Sequence, residues 1–155
     1  MTIKTSGTEA LWAFEEHEHH DLVHGISRIH EVACEIGRRS TPELSVRVLE
    51  ILHWLDETLE PHVAWEEGWL YPEIDARTGT PWATRGARFD HQQIREVALS
   101  LHADQQLLSR RAEGEPQVEM RCHLFGLEAL LRAHIEREER FLIPILDGEL
   151  PVATG

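Results

Sequence analysis

Two segments of this chain match each other across a fixed offset, and that repeat limits what the chain can fold into. His62-Val63-Ala64-Trp65-Glu66-Glu67-Gly68-Trp69-Leu70-Tyr71-Pro72-Glu73-Ile74-Asp75 aligns with the segment from His134 to Asp147, 72 positions later. His, both Glu, Leu, Pro and Asp are identical, and most other columns keep their apolar character. The same offset puts His19 on His91, Leu22 on Ile94, Ile29 on Leu101 and His30 on His102. The chain therefore reads as two copies of one helix–turn–helix unit. Each copy has one matched His in its first helix and a His-x-x-x-Glu in its second.

Apolar periodicity supplies the helices. Leu22, Ile26, Ile29, Ala33 and Ile36 recur at three- and four-residue steps, which predicts an amphipathic helix over about 9–38. Thr41-Pro42-Glu43 reads as an N-cap, a Pro at the first helical position and an acid in the first turn. The second helix carries Val48, Leu52, Leu55, Leu59, His62, Glu66 and Trp69 on one face. Pro61 predicts a kink within it, and Pro72 with the segment from Arg77 to Pro81 ends it. A third helix is expected from about Trp82 to Arg111 with Ile94, Ala98, Leu101 and Leu108 inward. After the turn Glu113-Gly114-Glu115-Pro116, a fourth runs over about 117–146 through Leu124, Leu127, Leu131, His134, Glu138 and Phe141. No segment alternates apolar and polar residues as a strand would. The expected fold is all-α: an antiparallel up-down-up-down four-helix bundle over 9–147, with a disordered N-terminus at 1–8 and a short tail at 148–155.

Charge and cysteine content exclude several classes. The 155 residues hold 15 Lys and Arg against 28 Asp and Glu, a net charge of −13. Nucleic acid and anionic membrane surfaces are held mainly by Lys and Arg, so neither is an expected partner. Cys34 and Cys122 are too few and too far apart for a disulfide framework. The first eight residues lack the apolar core of a signal sequence, and no stretch is long and apolar enough to span a bilayer. A soluble, cytoplasmic protein is expected, as a monomer or a dimer.

The 11 His gain meaning from the repeat. In His-x-x-x-Glu the two side chains lie one turn apart on one helix face, so imidazole and carboxylate can reach a common metal. Two such helices plus His19 and His91 bring four imidazoles and two carboxylates to one region of the core. Buried there without a metal, those groups would be costly. His19 shares the stripe of Leu22 and Ile26, whereas His17, His20 and His24 belong to a polar face. Six nitrogen and oxygen ligands without a thiolate exceed a structural zinc site and suit a pair of iron ions better than manganese or zinc.

Through Glu18-His19-x-x-Leu22, His62-x-x-x-Glu66, Asp90-His91-x-x-Ile94 and His134-x-x-x-Glu138, nearly the whole chain resembles the hemerythrin-like (HHE cation-binding) domain family. The resemblance implies a four-helix bundle and a carboxylate-bridged pair of iron ions. His19 and His62 would bind one iron and His91 and His134 the other. Glu66 and Glu138 would bridge them, with an oxo or hydroxo group between the metals. A small diatomic or peroxide ligand is then the expected partner, and binding of or reaction with oxygen, peroxide or nitric oxide the expected function. The chain departs from the oxygen carriers of the family at one place. They have a further His one turn from the third-helix ligand, whereas His91 has Ala87 before it and Arg95 after it. The second iron would keep an open or water-filled position, or gain a substitute ligand that the sequence does not identify.

Other readings stay beside this one. An iron- or oxygen-sensing or iron-storage module without catalysis would use the same ligands. A diiron peroxide- or oxygen-consuming oxidoreductase would need the open position. A ferritin-like oxidase uses Glu-x-x-His on two helices; Glu50-x-x-His53 fits, but the fourth helix offers no counterpart. Glu67 and Glu139 also repeat, and either support of the ligands or a solvated face is open to them. His30 and His102, about 16 Å along the axis from His19 and His91, lie too far for the same metals. Trp54, Trp65 and Trp69 are expected to fill the core, and Cys34 and Cys122 to be small core residues.

Overall fold

The computed structural model describes the backbone of residues 5–108 and 115–148, and the side chains of 19–108 and 117–148. Among these residues there is no strand. Helix α1 (Thr5–Glu35) is followed by a long composite rod. That rod comprises α2 (Thr41–Trp54), a π-helical turn Leu55–Leu59, α3 (Glu60–Trp65), a second π turn Glu66–Leu70, and α4 (Tyr71–Thr78). The third rod is α5 (Trp82–Leu108). The fourth is α6 (Glu115–Arg137), a third π turn Glu138–Leu142, and α7 (Ile143–Leu146). Helix α1 packs on α2 and α6, and α5 packs on the same two, so each rod has two neighbours in an up-down-up-down bundle. The first helix is already helical at Thr5. The rest of the expected N-terminal segment, the tail from residue 149 and the stretch 109–114 lie outside the described residues.

The α1 stripe of Leu22, Ile26, Ile29, Ala33 and Ile36 is buried as its spacing predicts. The N-cap of α2 is Ser40 rather than Thr41: its backbone N–H donates to Glu43 Oε2 at 3.1 Å and its hydroxyl to the same oxygen at 2.6 Å. The second rod does not stop at Pro72. It ends at Thr78, where Gly79 takes a left-handed conformation with φ of 69° that other residues adopt at a cost.

The π turns explain how the rods carry their prolines. Pro61, Pro72 and Pro144 each fall two residues after a π turn. A helical proline collides with the carbonyl four residues back. Those carbonyls belong to Glu57, Gly68 and Arg140, the middle residues of the three turns. Widening the helix around that carbonyl lets the rod continue. Glu60, Tyr71 and Ile143 accordingly donate their N–H to the carbonyls of Leu55, Glu66 and Glu138, five residues back.

Each inserted residue also shifts which side chains face inward. Regular helical spacing from Glu66 aims Trp69 at the core, yet Trp69 is 72% exposed while Leu70 and Tyr71 are buried. In the second repeat Phe141 is likewise 58% exposed, with Leu142 and Ile143 buried. The expectations for Trp69 and Phe141 therefore fail, for one reason. Trp54 and Trp65 do pack against the core as half-buried residues. Cys34 is half-buried and Cys122 exposed, so neither is the core residue expected.

Candidate metal centre

Among the described residues the core forms two apolar clusters. The larger includes Leu22, Ile26, Leu59, Val63, Ile94, Leu131 and Ile135. The smaller holds Leu70, Tyr71, Ile74, Ala87, Leu142, Ile145 and Leu146. Along the second, third and fourth rods, His62, Glu66, His91, His134 and Glu138 fall between these clusters in a buried polar layer, and His19 joins it from α1. The six residues selected by the repeat are thus the six that the fold brings together. His30 and His102 remain outside: each ring is about half exposed, facing Glu128 at 2.8 Å and Asp56 at 3.9 Å respectively. His20 and His24 are on the exposed face of α1.

Within the layer the groups form two overlapping sets of four, and each set could hold one ion. One is His19, His62, Glu66 and Glu138; the other is Glu66, His91, His134 and Glu138. Both share the two carboxylates. Glu66 Oε1 lies 2.7 Å from His62 Nε2, and Glu66 Oε2 lies 3.0 Å from His91 Nε2 and 3.7 Å from His134 Nε2. Glu138 Oε2 is 3.4 Å from His19 Nε2 and 3.5 Å from His134 Nε2. Neither oxygen of Glu66, nor Oε2 of Glu138, has the alignment of a hydrogen bond, although all three are fully buried. Buried carboxylates need partners, and here their lone pairs converge with imidazole Nε2 atoms. That is the donor set of a metal site, so the residues fit a pair of ions.

The outer nitrogens of the imidazoles meet a second ring of acids. His91 Nδ1 lies 2.9 Å from Glu67 Oε1, which also receives Arg95 Nη1 at 3.0 Å. Arg95 extends the chain outward to Glu60 at 2.7 Å. His19 Nδ1 lies 3.4 Å from Glu139 Oε1. Glu67 and Glu139 are equivalent in the repeat, so each half supports the first-helix His of the other. Asp90 Oδ2 faces His134 Nδ1 at 3.7 Å and is itself held by Arg137. Glu67, at hydrogen-bond distance from His91 Nδ1, fixes the tautomer that leaves Nε2 free to bind, while Glu139 and Asp90 face their imidazoles at longer range.

Charge in the layer is uneven. Burial raises the proton affinity of Glu66, but His134, His62 and His91 outweigh it and hold this carboxylate well below its ordinary range. Glu138 moves the other way, raised by burial and by the charge of Glu66. Burial disfavours charge on His134, yet Asp90, Glu66 and Glu138 raise it to about 10. Burial would raise Glu67 too, and Arg95 with His91 overcomes it and lowers it.

The hemerythrin HHE cation-binding domain matches residues 11–146 of this sequence. The chain belongs to that family. No curated protein and no solved structure gives a significant match. The match spans all four rods and the whole polar layer of this hemerythrin domain. One feature of the layer escapes the repeat, and another takes its meaning only from packing. Asp90 falls on Glu18 across the repeat, but only its contact with His134 reveals a role. Tyr71, the single tyrosine of the chain, reaches into the layer because of the π turn. The two halves differ there, since its counterpart is Ile143. Among the described residues no helix is long and apolar enough to cross a membrane.

Proposed function

We propose that this hemerythrin-family protein binds two iron ions, His19 and His62 on one and His91 and His134 on the other, with Glu66 and Glu138 shared between them. It would bind or react there with oxygen, peroxide or nitric oxide. The observation that carries this reading is the pair of overlapping four-ligand sets with two common carboxylates. A single-ion site would need no such sharing. Bound in that layer, iron would supply one-electron redox chemistry toward small oxidants.

The chain's own residues would do the rest. Glu67 orients His91, while Glu139 and Asp90 face His19 and His134 at longer range. Glu66, held anionic by its histidine neighbours, offers two oxygens to two ions without first losing a proton. Leu22 and Ile94 on one side of the layer, and Leu70 and Leu142 on the other, exclude bulk water. Dry surroundings strengthen every charge interaction inside.

The test is metal analysis of aerobically purified protein, which is expected to find about two irons per chain. His134→Ala is expected to lose iron, whereas His20→Ala keeps it. Equal behaviour of the two variants, or a fully folded protein that takes up no iron, would overturn the reading.

A further inference from the structure

Tyr71 is fully buried. Its Oη donates to Glu138 Oε1 at 2.5 Å and sits 3.1 Å from His91 Nε2, the nitrogen of that imidazole that faces the layer. It therefore stands beside the His91–His134 pair. That is the half where the family's oxygen carriers have an additional His and this chain has Ala87 and Arg95. Ala87 is buried in the smaller apolar cluster, and Arg95 turns away to Glu67 and Glu60. Neither fills the position.

The spacings match a coordination shell. In an octahedral site with bonds of about 2.1 Å, neighbouring ligand atoms lie about 3 Å apart. His91 Nε2 is 3.2 Å from His134 Nε2, 3.0 Å from Glu66 Oε2 and 3.1 Å from Tyr71 Oη. The phenol oxygen thus has the same edge distance from His91 as the two groups already assigned to that ion. At the equivalent position of the repeat stands Ile143, which has no oxygen to offer.

We propose that Tyr71 is a ligand of the ion held by His91 and His134, bound through its phenolate oxygen, so that the two metal positions are chemically unlike. This rests on the two-iron reading above. Without metal, the phenol O–H donates to Glu138 Oε1. When the ion binds, the O–H bond breaks, the proton leaves to solvent base, and the oxygen donates its electron pair to the metal. No electron is transferred. A bound cation reverses the local cost of an anionic ligand. Phenolate is a hard anionic donor, so it favours the ferric over the ferrous state at that position and works against reversible oxygen carriage, which starts from the reduced centre.

The iron-loaded full chain tests this directly. Having a single tyrosine, the protein can show an iron–phenolate absorption only from Tyr71. Resonance Raman excitation in that absorption is expected to show phenolate ring modes that shift when ring-deuterated tyrosine is incorporated. Tyr71→Phe is expected to keep about two irons, lose the visible band and its ring modes, and raise the reduction potential. Absence of phenolate modes in wild-type protein with its full iron, or their survival in Tyr71→Phe, overturns the proposal. Isotope labelling needs no substitution, so it decides the matter even if the variant fails to fold. Wild-type protein that binds no iron overturns the two-iron reading and this proposal together, and iron content measured on the same samples separates the two failures.

Discussion

Glu67 shows how one surface-proximal acid can govern a buried site. It lies between Arg95 and His91 Nδ1, within 3.0 Å of both, and so joins a solvated ion pair to a buried imidazole. Outer-ring acids of this kind typically change metal affinity 10–100-fold. Glu67→Ala is expected to weaken the ion proposed at His91 by about that factor, as measured by chelator competition. Glu136→Ala, whose exposed side chain pairs with Arg140, is expected to leave it unchanged. In the sequence Glu67 and Glu139 were distinguishable from other acids only by their repetition. Angle around a helix could not choose between a solvated face and support for a neighbouring rod, because the supported His lies on a different helix.

At the scale of the helical element, two glycines in similar-looking helix interiors have opposite demands. A Cβ at Gly25 of α1 would meet the Trp54 indole at 2.1 Å, whereas one at Gly68 in the second π turn meets nothing within 4 Å. Gly25→Ala is therefore expected to destabilise by about 1–3 kcal/mol through overpacking. Gly68→Ala is expected to stabilise by roughly 0.5–1 kcal/mol, because alanine has less chain entropy to lose. Urea unfolding of both variants checks the pair, and equal signs would refute the assigned packing. The π turns are the element-scale feature that periodicity did not reveal. Their signal was nevertheless present: Pro61, Pro72 and Pro144 each sit within an otherwise continuous helical pattern. A proline in such a place requires a break, a kink or a widened turn, and only the widened turn moves the buried stripe by one residue. That shift turned Trp69 and Phe141 outward and Tyr71 inward.

For the whole molecule, a polar layer between two apolar clusters links metal binding to folding. Ligands that attract a cation only in the folded chain convert binding energy into stability. Removing metal with a chelator is expected to lower Tm, with no effect in the His134→Ala protein, as calorimetry would show. Acid acts on the same framework. Burial pushes Glu67, Asp90 and Glu128 up, but their Arg and His partners outweigh it, and all three stay below their ordinary values of 4.5, 3.8 and 4.5. A carboxylate depressed by folding contributes stability above its unfolded value and loses it as pH falls through the folded one. Denaturant titrations of metal-free protein are expected to show full stability from these acids near neutrality. A decline should set in once pH falls below about 4 to 5.

The division between sequence and tertiary structure follows from these scales. Four helices, their order in the bundle and the six convergent groups His19, His62, Glu66, His91, His134 and Glu138 were all legible in the chain. A repeat records positions that two structurally equivalent halves must share. What the halves do not share was invisible to it. Tyr71 opposite Ile143 is such a position, and a helix register displaced by an inserted residue carried it into the polar layer. The pairings of Glu67 with His91, Glu139 with His19 and Asp90 with His134 also depended on packing, since each joins residues on different rods. Spacing along one helix determines which side chains share a face. Only the contact between rods determines what that face meets.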